Sequence, residues 1–227
     1  PGVYIGVVMG RHAGFLTASS ALLKKREEDG PHLIYIPEVA FSMSKFLDKI
    51  KKIYNKYGKC VIAVSEGIQD ENNKLISQKI IKSSEYDAHG NVQLSGTGSL
   101  GDYLSKQIKL KLKLPRVRAD TLGYPQRCFL GSTSEVDQKE AYKIGVFATK
   151  FSNKNNNSFS AGILERKSFT KIYKAQFFAN SLNDVAGKTK VMKSDFYNKK
   201  TSNISKEFLN YALPLIGNKI KETKSIF

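Results

Sequence analysis

Over its first 150 residues the chain alternates short, nearly continuous apolar runs with longer segments whose apolar residues recur at helical spacing. Residues 3–8 form a run of strand length that ends at Met9-Gly10-Arg11, and Phe15, Leu16, Ser19, Leu22 and Leu23 then follow at helical spacing. Residues 33–36 read as a second buried strand, stopped by Pro37-Glu38. Phe46, Leu47, Ile50, Ile53, Tyr54 and Tyr57 mark one face of a helix that begins near Ser42 or Ser44 and ends at Gly58. A third strand is predicted over residues 60–64, a polar excursion over 69–93, a helix over 99–112, a fourth strand over 117–122 and a further helix over 136–151. Strands alternating with helices imply a mostly parallel sheet covered by helices on both faces. The fold class is therefore α/β, a mostly parallel, three-layer, Rossmann-like sheet.

Past residue 151 the pattern weakens. Residues 153–158 read as a polar loop, 159–178 as a hairpin and 187–203 as a Lys-rich irregular stretch. Ile204, Phe208, Leu209, Ala212, Leu215 and Ile216 suggest a closing helix, and there is no internal repeat. Two domains are expected, 1–128 as the α/β unit and 129–227 as a crossing helix with a C-terminal segment.

Charge raises the question of a polyanionic partner. The 227 residues hold 37 Lys plus Arg against 20 Asp plus Glu, a net charge of +17. Only Arg11, Arg26, Arg116, Arg118, Arg127 and Arg166 are arginines, and the lysines are dispersed, including Lys106, Lys109, Lys111 and Lys113 along one predicted helix. Dispersed Lys reads as solvated surface, so no nucleic-acid partner is expected. No apolar run approaches the ~20 residues of a spanning helix, and no membrane association is expected. Cys60 and Cys128 lack CxxC spacing, and His12, His32 and His89 lack metal spacing. Two lone cysteines without a secretory signal suggest the cytoplasm. The chain opens directly into a strand, which suggests a piece of something longer.

In an open α/β sheet, ligands gather at the carboxyl ends of the strands. The four exits carry Met9-Gly10-Arg11, Pro37-Glu38, Ser65-Glu66-Gly67 and Gly123-Tyr124-Pro125-Gln126-Arg127. Guanidinium groups grip phosphate bidentately, and a carboxylate with no proton to donate accepts hydrogen bonds from sugar hydroxyls. Together the exits describe a pocket for a phosphorylated sugar. Gly96-Thr97-Gly98-Ser99-Leu100-Gly101 fits GxGxxG with Asp120 downstream, but residues 89–95 are too polar and short for the strand a dinucleotide fold needs.

Met9-Gly10-Arg11-His12-Ala13-Gly14, Leu33-Ile34-Tyr35-Ile36-Pro37-Glu38, Val64-Ser65-Glu66-Gly67 and Arg118-Ala119-Asp120-Thr121-Leu122-Gly123-Tyr124-Pro125-Gln126-Arg127 resemble, in that order, motifs of the phosphofructokinase family. The resemblance is strong over residues 3–150 and weak at Leu213-Pro214-Leu215-Ile216-Gly217. It implies that Met9, Gly10 and Arg11 contact fructose 6-phosphate and that Glu38 holds its hydroxyls. Tyr124 and Arg127 resemble the pair that binds the 6-phosphate, with Pro125 and Gln126 in the same binding segment. Arg118 resembles an arginine that reaches a neighbouring subunit's site, which implies a homo-oligomer, dimer or tetramer.

Tyr124 stands where many ATP-dependent members have His, and Cys128-Phe129 where they have Gly-Gly. With Asp87-Ala88-His89-Gly90-Asn91-Val92-Gln93-Leu94 and Ser134-Glu135-Val136-Asp137, these are more similar to the pyrophosphate-dependent branch. Gly2 stands where some members carry an Arg that contacts the 6-phosphate. The family's Gly-Gly-Asp donor loop and Asp-Asn-Asp base segment, which precede the Met-Gly-Arg turn, do not occur in these residues. The resemblance thus implies the C-terminal part of a two-domain enzyme, with the catalytic base and the Mg²⁺ ligands upstream and no catalytic or metal residue here. It implies phosphorylation of fructose 6-phosphate with pyrophosphate as donor, and inactivity of this part alone. The alternatives are an ATP-dependent enzyme or a non-catalytic sugar-phosphate-binding subunit.

Overall fold

The computed structural model of the chain describes residues 2–80, 98–129, 131, 133–166 and 172–217. In chain order the elements are β1 (Gly2–Val8), α1 (Phe15–Ser19), β2 (Leu33–Tyr35), α2 (Met43–Tyr57), β3 (Lys59–Ser65), α3 (Ser99–Leu112), β4 (Val117–Thr121), α4 (Gly123–Cys128), α5 (Glu135–Ser152), β5 (Ser160–Ile163), β6 (Phe177–Asn180), α6 (Leu182–Val185), β7 (Tyr197–Asn198), β8 (Asn203–Ile204) and α7 (Lys206–Ala212). The chain divides into two compact units, Pro1–Cys128 with Lys190–Ser205, and Phe129–Thr189 with Lys206–Phe227.

The first unit holds a parallel sheet of order β2-β3-β1-β4. β1 and β3 are central and almost continuously apolar, and all of their residues but Gly2, Tyr4, Lys59 and Val61 are buried. Val3, Ile5 and Val7 of β1 join Ile62 and Val64 of β3 on one face, where Phe46 and Ile50 of α2 and Leu104 and Ile108 of α3 close the core. On the other face α1 packs against β2 and β3, near the buried Ile34 and Ala63. β4 alternates instead: Val117 is buried while Arg118 and Asp120 are exposed, a charged edge that resists pairing with another chain.

The lysines fall where the amphipathic pattern sends them. Lys45, Lys51, Lys52 and Lys56 lie on the outer face of α2, and Lys106, Lys109 and Lys111 on that of α3, with Lys113 just beyond it. The excess positive charge of these segments is therefore solvated rather than gathered at one site.

The helix expected after residue 14 is shorter than its periodicity suggests, five residues followed by a 3-10 turn, Ser20–Leu23. The fourth strand exit, where the sequence reading expects no helix, is the helix α4. Gln69 and Leu75 form an isolated bridge and Ser77–Lys79 a 3-10 turn in the polar excursion; residues 81–97, which include the segment from Asp87 to Leu94 and Gly96, lie outside the described residues. The stretch expected to be irregular contains the β7–β8 pair, which covers the β2 edge. There Ile34 N–H donates to Ser202 O at 2.8 Å, Tyr197 Oη–H to Ile34 O at 2.6 Å and Asn203 Nδ2 to His32 O at 3.3 Å.

His32 is 6% exposed, and its Nδ1 accepts Val61 N–H at 3.0 Å. Burial, aided by the nearby Lys24 charge, holds its pKa below the ordinary 6.5. Below about pH 6.5 the unfolded chain takes up a proton that the folded protein refuses, so stability falls as pH drops from there toward the folded pKa. Denaturant unfolding should show this slope in the wild type, and His32→Gln should lack it. An unchanged slope would refute the assignment.

In the second unit, α5 is capped by Ser134, whose Oγ accepts Asp137 N–H at 3.1 Å and donates to Leu215 O at 2.6 Å. β5 and β6 form the expected antiparallel pair, with Ile163 opposite Phe177; residues 167–171 lie outside the described residues. Phe147, Phe151, Phe159 and Phe177 stack along α5 and this pair with centroids 4.7–6.2 Å apart. The closing helix is α7 with a 3-10 turn, Leu213–Leu215.

Candidate functional site

At the end of β1 the chain must reverse direction over the carboxyl edge of the sheet before α1 begins. Gly10 makes this possible with φ +142°, and a Cβ there would lie 2.7 Å from Ala13 O. The neighbouring exits then fasten the turn. Met9 N–H donates to Gln126 Oε1 at 3.1 Å, and Gly10 N–H donates to Glu66 Oε1 at 3.2 Å. Ser65 Oγ–H donates to Gly10 O and accepts Gly67 N–H at 3.2 Å. Strand registry supplies two more ties, Glu66 N–H to Val8 O and Leu122 N–H to Val7 O, each at 2.9 Å.

The exit of β2 joins through Glu38. Its Oε1 accepts Gly14 N–H at 3.0 Å and Met192 N–H at 2.9 Å. Its Oε2 is buried and has no hydrogen-bond partner among the described residues. A buried carboxylate oxygen with unused lone pairs is costly until a donor reaches it. A ligand hydroxyl is a donor of the right kind.

α4 carries Tyr124 and Arg127 three residues apart, hence on one face of the helix, and both are exposed. Pro125 is tolerated because it sits in the first turn, where backbone N–H groups have no intrahelical partner. Gln126 is half-buried and spends its side-chain oxygen on Met9. Arg11 is half-buried within the turn.

Arg118 stands apart from the exits. It lies on β4 opposite Tyr4 of β1, exposed beside Asp120 on the same face. Partial burial, and then the Asp120 carboxylate, raise the Tyr4 hydroxyl pKa. Thus the structure brings Met9, Gly10, Gln126 and Glu38 into one bonded network through residues 9–14, puts Tyr124 and Arg127 on the adjoining helix face, and sets Arg118 on the strand surface.

Three participants lie outside the set of residues inferred from sequence. Ser65 and Glu66 were visible as a polar strand exit, and the parallel neighbourhood of β1 and β3 turns them into partners of Gly10. Met192 carries no sequence signal at all, because it reaches Glu38 from 154 residues away. Among the described residues no three of His, Cys, Asp and Glu gather as a metal-holding set.

A family model described as phosphofructokinase matches residues 2–152. The pyrophosphate--fructose 6-phosphate 1-phosphotransferase of Rhodospirillum rubrum is 48% identical over 217 residues, covering 96% of this chain and 53% of that protein. The enzyme of the same name from Xanthomonas campestris is 32% identical over 214 residues, covering 94% of this chain and 49% of that protein. The crystal structure of pyrophosphate-dependent phosphofructokinase from Nitrosospira multiformis superposes with a TM-score of 0.76 at 26% identity, over 99% of this chain and 50% of that one. The chain thus spans about half the length of the proteins it matches.

Proposed function

Because the chain belongs to the phosphofructokinase family, we propose that it supplies the fructose 6-phosphate site of an enzyme that makes fructose 1,6-bisphosphate with pyrophosphate as donor, a glycolytic step. The observation that carries this reading is the network at the sheet edge. Glu38 offers a sugar hydroxyl a buried Oε2 that has no partner among the described residues, while Arg11 lies in the adjoining turn and Tyr124 and Arg127 share one face of α4. The pyrophosphate reading is supported by the names of the relatives that are 48% and 32% identical.

In this proposal the chain's own residues bind and orient. Met9, Gly10 and Arg11 form the floor, Glu38 selects the sugar through its hydroxyls, and Tyr124 with Arg127 takes the 6-phosphate, Pro125 and Gln126 shaping the segment between them. Binding the acceptor in one geometry lowers the entropic part of the barrier to transfer. The base that deprotonates the C1 hydroxyl, and the Mg²⁺ that neutralises charge on the donor, belong to the other half of the enzyme; no described cluster here fits a metal. The second unit, whose α5 buries no described residue, packs toward that half. Arg118, exposed on β4, serves the site of a second copy in a homo-oligomer. No described helix is long and apolar enough to cross a membrane, and we place the enzyme in the cytoplasm.

The test is phosphoryl transfer by the full-length enzyme. Fructose 6-phosphate should be phosphorylated with pyrophosphate and not with ATP, and the chain expressed without its other half should bind the sugar without turnover. Transfer from ATP alone would overturn the donor assignment, and absence of fructose 6-phosphate binding would overturn the site. Arg127→Ala should weaken fructose 6-phosphate binding by about 1.5–3 kcal/mol, the scale of a charge-assisted hydrogen bond. An unchanged Michaelis constant for the sugar would contradict this.

A further inference from the structure

We infer that Glu66 is a positioning residue for the sugar-phosphate turn, and that it acts through the reach of its side chain rather than through its charge. The inference rests on the reading of residues 9–14 as part of the fructose 6-phosphate site.

The Gly10 peptide is held at both ends by consecutive residues of the β3 exit. Glu66 Oε1 takes the Gly10 N–H at 3.2 Å, and the Ser65 hydroxyl donates to Gly10 O. Gly67 then lies under the next residue, so close that a Cβ there would sit 2.0 Å from Arg11 O. Three successive residues of one loop therefore fix the peptide on which the Arg11 side chain is mounted. Glu66 is itself anchored, because its own N–H donates to Val8 O at 2.9 Å in the parallel ladder. The carboxylate consequently sits at a fixed height above the sheet, and the distance to Gly10 is set by its two methylenes.

The charge of Glu66 argues against a direct contact with the anion. A carboxylate near a phosphate repels it, so a residue that served the site electrostatically would be neutral or cationic there. A carboxylate in this position is explained by geometry: it accepts a backbone N–H and leaves the turn with one conformation. A disordered turn would have to be ordered at the expense of binding energy.

Charge and reach separate experimentally. Glu66→Gln keeps the acceptor oxygen and the length but removes the charge. Glu66→Asp keeps the charge but is one methylene too short to meet Gly10 N–H from the same backbone position. In the full-length enzyme the expected result is a Michaelis constant for fructose 6-phosphate within about twofold of wild type for Glu66→Gln, and raised about tenfold for Glu66→Asp. The turnover number at saturating sugar should stay within about twofold in both, because the chemistry lies in other groups. Ser65→Ala, which removes both the bond to Gly10 O and the acceptor of Gly67 N–H, should raise the Michaelis constant in the same sense as Glu66→Asp.

Loss of turnover in Glu66→Gln would assign Glu66 to catalysis and overturn the inference. Equal Michaelis constants in Gln, Asp and wild type, with only thermal stability changed, would reduce Glu66 to a structural tie and overturn it as well. Wild-type enzyme that shows no fructose 6-phosphate binding by calorimetry would remove the site reading itself, an outcome distinct from any difference among the variants.

Discussion

Gly67→Ala is expected to abolish fructose 6-phosphate binding and to destabilise the first unit by about 3 kcal/mol or more, at or beyond the upper end of ordinary overpacking. A Cβ at this position would lie 2.0 Å from Arg11 O, 2.5 Å from its carbonyl carbon and 2.7 Å from its Cα. All three are backbone atoms, so no side-chain rotation relieves the clash. Either residues 9–14 or the loop from Ser65 must move by more than an ångström. Movement of either breaks the Gly10–Glu66 and Gly10–Ser65 hydrogen bonds together. It also shifts the Arg11 backbone, on which the proposed contact with the sugar phosphate depends. Denaturant unfolding and calorimetric titration with fructose 6-phosphate measure the two effects separately. A variant that binds the sugar within twofold of wild type would show that the two loops are not coupled in this way.

Phe46→Ala should cost about 3–5 kcal/mol, the usual range for emptying a buried aromatic site. Phe46 is 0% exposed and sits between Tyr35 and Phe41, with ring centroids 5.2 Å away from each. Its removal takes away the apolar transfer of the ring and two aromatic contacts, and it leaves a cavity whose walls are a strand and a helix that cannot collapse freely. Against a typical stability of about 5–15 kcal/mol this is a large fraction. The effect should appear in the denaturation midpoint and not in sugar affinity, since Phe46 faces the α2 and α3 side of the sheet rather than its carboxyl edge. A loss below about 1 kcal/mol would mean that the site repacks.

The large elements were legible in the sequence because burial on both faces leaves an unmistakable apolar run. β1 and β3 are such strands, and their limits in the structure fall within a residue of those read from the sequence. α2 and α3 were equally plain, since a helix with one buried face repeats its apolar residues at a fixed spacing. The six-residue helix α4 was not legible. Too short to show a period, it also contains Gly123 and Pro125, which read as a turn. β7 and β8 are two residues each, below the length at which alternation carries information.

The candidate site divides in the same way. That the strand exits bear Arg11, Glu38, Tyr124 and Arg127 was determined by the sequence alone, because chain order and strand identity suffice to put them at one edge of a parallel sheet. Which of their atoms are already committed was decided only by the tertiary structure. Gln126 accepts Met9 N–H on its side-chain oxygen, and Glu38 divides its two oxygens between backbone donors on one side and, among the described residues, no partner on the other. Gly10 and Glu66 are 56 residues apart, and Glu38 and Met192 are 154 apart. A hydrogen bond depends on a few tenths of an ångström and on direction, whereas apolar burial depends on little more than which face a residue occupies. Local pattern therefore specifies the sheet, and only the folded chain specifies how its turns are held.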